Sequence, residues 1–353
     1  MTALEPLDSL DDVLVVNAGS TSVKLTRLVD GRETSPPDLD AAIADRAGPR
    51  VVVHRVVHGG HRTRATVVDD AVMAELRGLT ELAPLHQSHA LDIVEQCRRK
   101  WPHATQIACF DTTFHTTMPP GARTYALPAR LREKVQVYGF HGLSHAWSTS
   151  RVAEAAPAAR RLLIAHLGGG QSLCGVLDGR SVVTTMGFTP LDGLVMATRS
   201  GTVDPGALLW LADHTDEDLY AVLEHESGLQ GIAGTSDMAT VLDRAGAGDA
   251  AAELALSVWL HRFLRQAGGC LAVLGGLDAL VFTGGIGEHS AAIRAMVCDR
   301  LAWLGTTLSE PAGTATDDVL DILDISAPGA TARTFVVHAR EDRQMLHEAH
   351  NLR

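Results

Sequence analysis

Short apolar runs rich in Val, Ile and Leu alternate with longer stretches of helical spacing along the whole chain. Such runs predict buried strands, and apolar residues at every third or fourth position predict helices. In the first half the pattern predicts strands at residues 13–16, 23–25, 51–57 and 106–110 and helices at 69–82 and 91–100. In the second half it predicts strands at 162–167, 173–177, 279–283 and 334–338 and helices at 206–213, 216–224, 249–267 and 342–350.

The same order of elements occurs twice. A strand, a glycine-rich turn, a second strand and then helices start at residue 13 and again at residue 162. A chain of 353 residues is long enough for two domains. The pattern therefore favours two related α/β halves with a ligand cleft between them, although periodicity alone does not distinguish duplication from coincidence.

Three glycine-rich segments follow predicted strands, at residues 17–22, 168–172 and 284–287. Each offers backbone N–H groups with little side chain in the way, which is what a phosphate group requires. A single turn of this kind usually serves only chain reversal, but three of them, spread over both halves, favour a polyphosphate ligand. None has the spacing of a Walker loop or a dinucleotide fingerprint, so both of those folds are disfavoured.

Charged and imidazole side chains stand in apolar, glycine-flanked segments: HRVVHGG at 54–60, YGFHG at 138–142 and ATRSG at 197–201. Each arginine alone is explained as a solvated residue at the rim of a sheet. Asp111 also follows a predicted buried strand, however, and this favours a common site. Guanidinium groups in such a site would bind a carboxylate and a phosphoryl group in transfer.

The charge balance bears on the function class. Lysine and arginine number 30 against 42 acidic residues, and the net charge of −12 disfavours binding along nucleic acid. No uncharged stretch is long enough to span a bilayer, and the acidic N-terminal segment lacks the features of a signal peptide. The five cysteines are scattered without paired spacing. We therefore expect a cytoplasmic protein with free thiols and with neither a nucleic-acid nor a membrane partner.

Longer motifs carry a family resemblance. The segments VVNAGSTSVK, HRVVHGG, LAPLH, FDTTFHTTMP, YGFHGLSH, HLGGGQS, TTMGFTPLDGLVMATRSG and VFTGGIGEHS occur in this order. Together they resemble the acetate kinases of the acetate and sugar kinase/actin superfamily. The resemblance implies an α/β fold of two duplicated actin-like (RNase H-like) domains with a nucleotide cleft between them. It places the first domain at residues 1–145, with helix 342–353 packing back on it, and the second at 146–341. It also implies a homodimer.

The resemblance further implies a role for each matching residue. The residues expected to act on the transferring phosphoryl group are Arg55, Asp111, His141 and Arg199. Those expected to contact the acyl substrate are Arg55, Val57, Leu85, His86, Phe140 and Pro190. Those expected to contact the nucleotide are Ser20, Ser22, Lys24, His166, Gly168, Gly169, Gly170, Asp237, Met238, Gly284, Gly285, Ile286 and Gly287. Those expected to support the metal ion, Mg²⁺ or Mn²⁺, are Asn17 and Glu341.

The implied reaction is reversible transfer of the γ-phosphoryl group of ATP to acetate, giving acetyl phosphate and ADP. A carboxylate oxygen attacks in line, and because acetate is already ionised at neutral pH, no general base is required. His141 is then expected to act as an electrostatic donor. Positioning and charge neutralisation would supply most of the rate in such a reaction.

Four segments depart from the family pattern. Gly169 stands where the family has Asn, and Ala239 replaces an arginine near the adenine. Residues 87–90 read QSHA instead of NPPN, and 338–342 read HARED instead of Thr-Asn-Glu-Glu, with the acid retained at Glu341. The first two losses are expected to weaken the binding of ATP. Three alternatives stay open: a propionate kinase, an acyl kinase using another donor such as pyrophosphate, and a non-catalytic binder of nucleotide or acyl phosphate.

Overall fold

The computed structural model describes residues 12–19, 23–39, 41–43, 48–309 and 321–352. The strands of the first sheet are β1 (Asp12–Ala18), β2 (Val23–Val29), β3 (Arg32–Thr34), β4 (Val51–Val56), β5 (Thr66–Val67) and β6 (Thr105–Phe110). The strands of the second sheet are β7 (Arg161–Leu167), β8 (Gln171–Leu177), β9 (Arg180–Thr184), β10 (Ala279–Thr283), β11 (Ile322–Asp324) and β12 (Arg333–Val337).

The helices before β7 are α1 (Asp70–Gly78), α2 (Pro84–Lys100), α3 (Pro120–Arg123), α4 (Ala129–Arg132) and α5 (Gly142–Ala155). Those between β9 and β10 are α6 (Pro205–His214), α7 (Leu219–Ala221), α8 (Gly228–Ala233), α9 (Met238–Gly246) and α10 (Ala250–Leu274). Those after β10 are α11 (Gly284–His289), α12 (Ala291–Arg300) and α13 (Glu341–His350). A π-helix, Val222–Glu226, follows α7 directly.

The two sheets share one topology. The first has the order β3-β2-β1-β4-β6-β5 and the second the order β9-β8-β7-β10-β12-β11. In each sheet the first three strands form antiparallel hairpins, the middle strands are parallel, and the far edge strand is antiparallel to its neighbour. The duplicated α/β fold predicted from the sequence is therefore confirmed.

Equivalent turns strengthen this correspondence. The turn from β2 to β3 is Asp30-Gly31, with φ of 48° and 74°, and the turn from β8 to β9 is Asp178-Gly179, with φ of 50° and 77°. Positive φ at both positions is the geometry of a tight hairpin turn that Asp-Gly favours. The same dipeptide thus makes the same bend in both sheets.

Several predicted elements differ from those observed; the helix predicted at 249–267, for example, extends to Leu274. Helix α2 starts at Pro84 rather than at 91, because proline is well suited to the first helical position. Residues 284–287, predicted as a turn, form the start of α11, where only Gly284 has a left-handed φ of 77°. The helix predicted at 216–224 is a short α-helix that continues as the π-helix.

By their contacts the residues group into two compact units. The first unit takes the chain up to Thr116, then Phe140–Trp147, and the chain from Arg340 onward, and the second takes Thr117–Gly139 and Ser148–Ala339. In the first unit α13 covers the sheet, and its Met345 and Ala349 share one apolar cluster with side chains of β1, β4 and β6. In the second unit α10 packs on the sheet through a buried cluster that includes Trp259 and Phe263.

Within the described ranges, no helix combines the length and the apolar character that crossing a membrane requires.

Candidate active site

Three parallel strands of the first unit end at the same edge of the sheet, and each brings one polar side chain there. Asn17 belongs to β1, Arg55 to β4, and Asp111 follows β6. Arg55 donates from Nε to Asp111 Oδ1 (3.1 Å) and from Nη2 to Oδ2 (2.7 Å). Its Nη1 donates to the side-chain oxygen of Asn17 at 3.2 Å. The structure thus brings together three of the residues predicted for the site.

The Arg55–Asp111 pair is shielded from solvent, since the aspartate side chain is 2% exposed and the arginine side chain 17%. Burial by itself would lower the pKa of Arg55, but the negative charges of Asp111 and Glu341 outweigh it and raise that pKa. The guanidinium therefore stays fully charged. Its fork is held on one side by the carboxylate, which is the arrangement by which arginine orients toward an anion.

His141 lies next to this pair. Its φ of 58° is unusual for a residue with a side chain. The N–H of the following residue, Gly142, donates to the backbone carbonyl of Asp111 at 2.8 Å. This bond fixes the start of α5, and with it His141, beside the end of β6.

The predicted acyl contacts of the first unit lie in a dry environment. Val57 is 5% exposed and Phe140 is 1% exposed. The carbonyl of Phe140 bonds to Nε2 of His115 at 3.0 Å, and burial lowers the pKa of that histidine to about 4. The side chains of Leu85 and His86 lie outside the described part of the chain.

Gln87, one of the departures from the family pattern, has a structural role. Its Oε1 accepts from the backbone N–H of His58 at 3.0 Å, and its Nε2 donates to the His58 carbonyl at 3.1 Å. Nε2 also lies 3.3 Å from the carbonyl of Leu76. This completely buried amide therefore holds the segment after β4 against α1.

The other residues of the first unit that were predicted for the site belong to the segment of the β1–β2 hairpin and to α13. Lys24 is exposed and pairs in register with Asn17. Ser20 and Ser22 lie outside the described residues. Glu341 is the first residue of α13 and is partly buried.

In the second unit, Arg199 occupies a loop between β9 and α6. Its Nη1 donates to the carbonyl of Pro190 at 3.0 Å, which brings two predicted site residues together. Its Nε lies 3.2 Å from Oε1 of Glu224. Burial lowers the pKa of Arg199, and the charge of Glu224 opposes that shift.

Two of the glycine-rich segments meet in the second unit. Strands β7 and β10 are parallel neighbours, with His166 opposite Thr283. A Cβ on Gly284 would lie 2.8 Å from the carbonyl oxygen of Leu167, so only glycine allows this approach. Gly169 is exposed, its φ is not left-handed, and a Cβ there would meet nothing within 4 Å.

The remaining predicted nucleotide contacts have distinct surroundings. Gly285 is exposed and Ile286 half-buried in α11, whereas Gly287 is buried. Asp237 is exposed and caps α9, accepting from Thr240 N–H at 2.9 Å. Met238 is only 3% exposed and packs in the core cluster of the second unit.

Glu224 was not among the sequence predictions. It belongs to the π-helix, and its side chain is buried. No local spacing signals it, because its partner Arg199 lies on a separate segment of the chain. The only available signal was an acidic residue in a partly apolar stretch, which is usually a solvated position.

Comparison with known proteins decides the family. The Acetokinase family matches residues 37–347. The chain belongs to the acetokinase family. An acetate kinase of Rhodopseudomonas palustris is 45% identical over 300 residues, covering 82% of this chain and 74% of that protein. A propionate kinase of Edwardsiella piscicida is 46% identical over 269 residues, covering 73% and 67%. The crystal structure of Porphyromonas gingivalis acetate kinase superposes with a TM-score of 0.83 at 28% identity, covering 96% of this chain and 98% of that one.

Membership in the acetokinase family makes the chain an acetate kinase-type phosphotransferase with a carboxyl group as acceptor. ATP or ADP is its co-substrate, and a divalent metal ion takes part. The two-sheet architecture is that of the solved acetate and propionate kinases.

Proposed function

We propose that Arg55, Asp111 and His141 in the first unit and Arg199 in the second carry out phosphoryl transfer from ATP to acetate. The bidentate Arg55–Asp111 pair, at the carboxyl ends of parallel strands, is the observation that carries this proposal. Within this pair Arg55 keeps its positive charge in a largely buried place, and its guanidinium can stabilise the charge that spreads over the phosphoryl oxygens in the transition state.

The acetate carboxylate needs no deprotonation, so the protein's work is positioning. Asp111 orients the guanidinium of Arg55, and Arg55 and Arg199 hold the two anions that must react in line. His141 donates a hydrogen bond to a phosphoryl oxygen. Val57 and Phe140, which are both buried, exclude water from the acyl methyl group.

The residues near Asn17 fit a hard divalent cation. The amide oxygen of Asn17 accepts from Arg55, and the carboxylate of Glu341 lies near enough to raise the pKa of that arginine. Among the described residues no cluster of three or more His, Cys, Asp or Glu could hold a metal ion. Mg²⁺ is usually bound by one or two protein oxygens together with substrate phosphates, and the oxygens of Asn17 and Glu341 could supply these. Bound there by Asn17 and Glu341, the ion would offset phosphate charge.

An acyl phosphate assay with hydroxylamine tests the reaction directly. Acetate, propionate and butyrate are each combined with ATP, GTP or pyrophosphate. We expect product with acetate or propionate and ATP and a steep fall at butyrate, because the acyl contacts that the family resemblance implies are those of a short acid, and each methylene that does fit is worth about 0.8 kcal/mol. A propionate optimum would identify the propionate kinase alternative. Product with pyrophosphate alone would identify the other donor, and no product with any donor would support the non-catalytic binder.

We also propose that the protein is a homodimer through α6. None of the helix's residues is buried, and Leu209 and Trp210 are 70% and 58% exposed. Tyr220, after α6, is 47% exposed. An exposed apolar surface of this kind usually marks an interface. Light scattering after gel filtration should give a dimer that Leu209→Asp/Trp210→Glu converts to monomer. Trp303→Glu, at a 75% exposed tryptophan elsewhere, is the control and should leave the mass unchanged.

A cytoplasmic location is proposed from the thiols. All five cysteines are free and buried, which suits a reducing compartment. Cell fractionation with a soluble cytoplasmic marker tests this.

A further inference from the structure

Glu224 is a buried acidic residue for which the proposed reaction has no direct use. It is 6% exposed and lies in the π-helix Val222–Glu226. Such helices are rare and are frequently found at functional sites. Its carboxylate is paired with Arg199, whose Nε lies 3.2 Å from Oε1.

Hydrogen bonds to backbone carbonyls hold this π-helix against the loop that carries Arg199. The Thr198 hydroxyl donates to the Glu224 carbonyl at 2.8 Å, and the Ser200 N–H donates to the Leu223 carbonyl at 3.1 Å. The Ser227 N–H donates to the Thr198 carbonyl at 2.9 Å. The residues on both sides of Arg199 are therefore fixed to the segment that carries Glu224.

Gly228 makes this close approach possible. Its φ is 62°, and a Cβ there would lie 2.2 Å from the Met196 carbonyl oxygen and 2.7 Å from that of Arg199. The two segments are in backbone contact, so the Glu224 carboxylate has a fixed position relative to the arginine.

The pairing leaves one edge of the guanidinium open. Nε faces Glu224, and Nη1 donates to the Pro190 carbonyl. Among the residues that the structure describes, Nη2 has no hydrogen-bond partner. The ion pair at Nε and the contacts of Nη1 with the Pro190 carbonyl and the Met196 sulfur orient the guanidinium so that Nη2 faces away from them, and arginine recognises an anion through such a directed edge.

We propose that Glu224 is a positioning residue, which fixes the guanidinium of Arg199 so that Nη2 faces the anion in transfer. This inference rests on the proposed role of Arg199 in the reaction. Without Glu224, Arg199 would still bind the anion. Its guanidinium would, however, no longer keep the orientation that the transition state requires.

The test compares Glu224→Gln with Glu226→Gln, which changes an exposed acid in the same π-helix. We expect Glu224→Gln to lower kcat by about tenfold, because the carboxylate charge that orients the guanidinium is lost, with a smaller change in the KM for ATP. Glu226→Gln should match the wild type. Glu224→Asp, which keeps the charge, should recover part of the lost kcat.

A double-mutant cycle separates positioning from a merely structural role. In the Arg199→Ala background, Glu224→Gln should have no further effect on kcat, because the residue acts through the arginine. Thermal melting of all variants identifies those that fail to fold. If Glu224→Gln is one of them, Glu224→Asp replaces it in the cycle. Equal losses of kcat in both backgrounds, a rise in kcat, or a wild-type value for Glu224→Gln would overturn the inference. Each of these results is read against an active wild type, whereas an inactive wild type would overturn the proposed function itself.

Discussion

Gly142 lies directly against the backbone of Asp111: a Cβ on residue 142 would stand 2.2 Å from the Asp111 carbonyl oxygen. The carbonyl oxygen belongs to the backbone and cannot move aside as a flexible side chain would. The contact holds His141, which precedes Gly142, close to the backbone of Asp111, the residue whose carboxylate pairs with Arg55. A close approach of two chain segments therefore sets the relative position of two proposed catalytic residues.

The first prediction follows from this contact. Gly142→Ala should lower kcat by about tenfold or more and also lower the melting temperature, because the start of α5 must move away from β6. Gly246→Ala is the control: this glycine ends α9 with open space around it and should tolerate the methyl group. Equal behaviour of the two variants would show that the close approach does not position His141.

The second prediction concerns Arg55. Arg55→Ala should lower kcat by at least about a hundredfold, since a cation that acts on the transition state is lost. It should also destabilise the fold by about 3–5 kcal/mol, because Asp111 stays buried without its partner. Adding Asp111→Asn should recover stability in urea unfolding without recovering turnover. Near-normal turnover of Arg55→Ala would remove this residue from the proposed site.

The third prediction concerns the turn after β7. We expect the wild type to have a KM for ATP of about 1 mM or above, at the high end for enzymes. Gly169→Asn should lower this KM by about tenfold, because an added amide can donate to a phosphate and the exposed position has room for it. Gly169→Ala adds the Cβ without the amide and should leave the KM unchanged. The same KM for both variants would mean that the side-chain amide has no role.

The fourth prediction concerns Glu348 on α13. Burial, with the charge of Asp111 adding to it, raises the pKa of Glu348 from 4.5 to about 7, although hydrogen bonds from Gln344 and Cys109 oppose the shift. The folded protein therefore binds more protons than the unfolded chain between these two pH values, and its stability falls as the pH rises through this interval.

Glu348→Gln removes the ionisation, so its stability relative to the wild type should increase from pH 5 to pH 8. Urea unfolding at several pH values measures the difference, and Glu226→Gln, at an exposed acid, should show no such trend. A difference that is constant with pH would mean that Glu348 titrates at its usual value.

The sequence predicted the fold better than the site. Apolar runs bounded by glycine marked both hairpins, because a strand buried on two faces must be continuously apolar. Helix α2 was predicted too short, although Pro84 at its first turn is a recognised start signal. The segment at 284 was predicted as a turn because several glycines suggest one, whereas only Gly284 itself needs the left-handed conformation.

The glycine-flanked segments predicted a common site for the arginines and Asp111, and the resemblance supplied the separate roles, but the geometry of the contacts could not be predicted. Arg55 reaches Asp111 because β4 and β6 are parallel neighbours in the sheet. Which strands are neighbours is determined by strand pairing and not by the apolar pattern of either strand. Glu224 could not be predicted because a π-helix has no simple periodic pattern. Gln87 was seen only as a departure from the family, and its two hydrogen bonds to His58 explain why the amide is accommodated there.

The position of α13 also has a consequence for synthesis. The core of the first unit contains Met345 and Ala349 from this helix alongside residues of β1, β4 and β6. A ribosome delivers the three strands long before the helix, and it delivers all strands of the second unit in between. Domains generally fold as units during translation. The second unit can therefore close its core on the nascent chain, while the cluster of the first unit stays incomplete until Met345 and Ala349 have been synthesised.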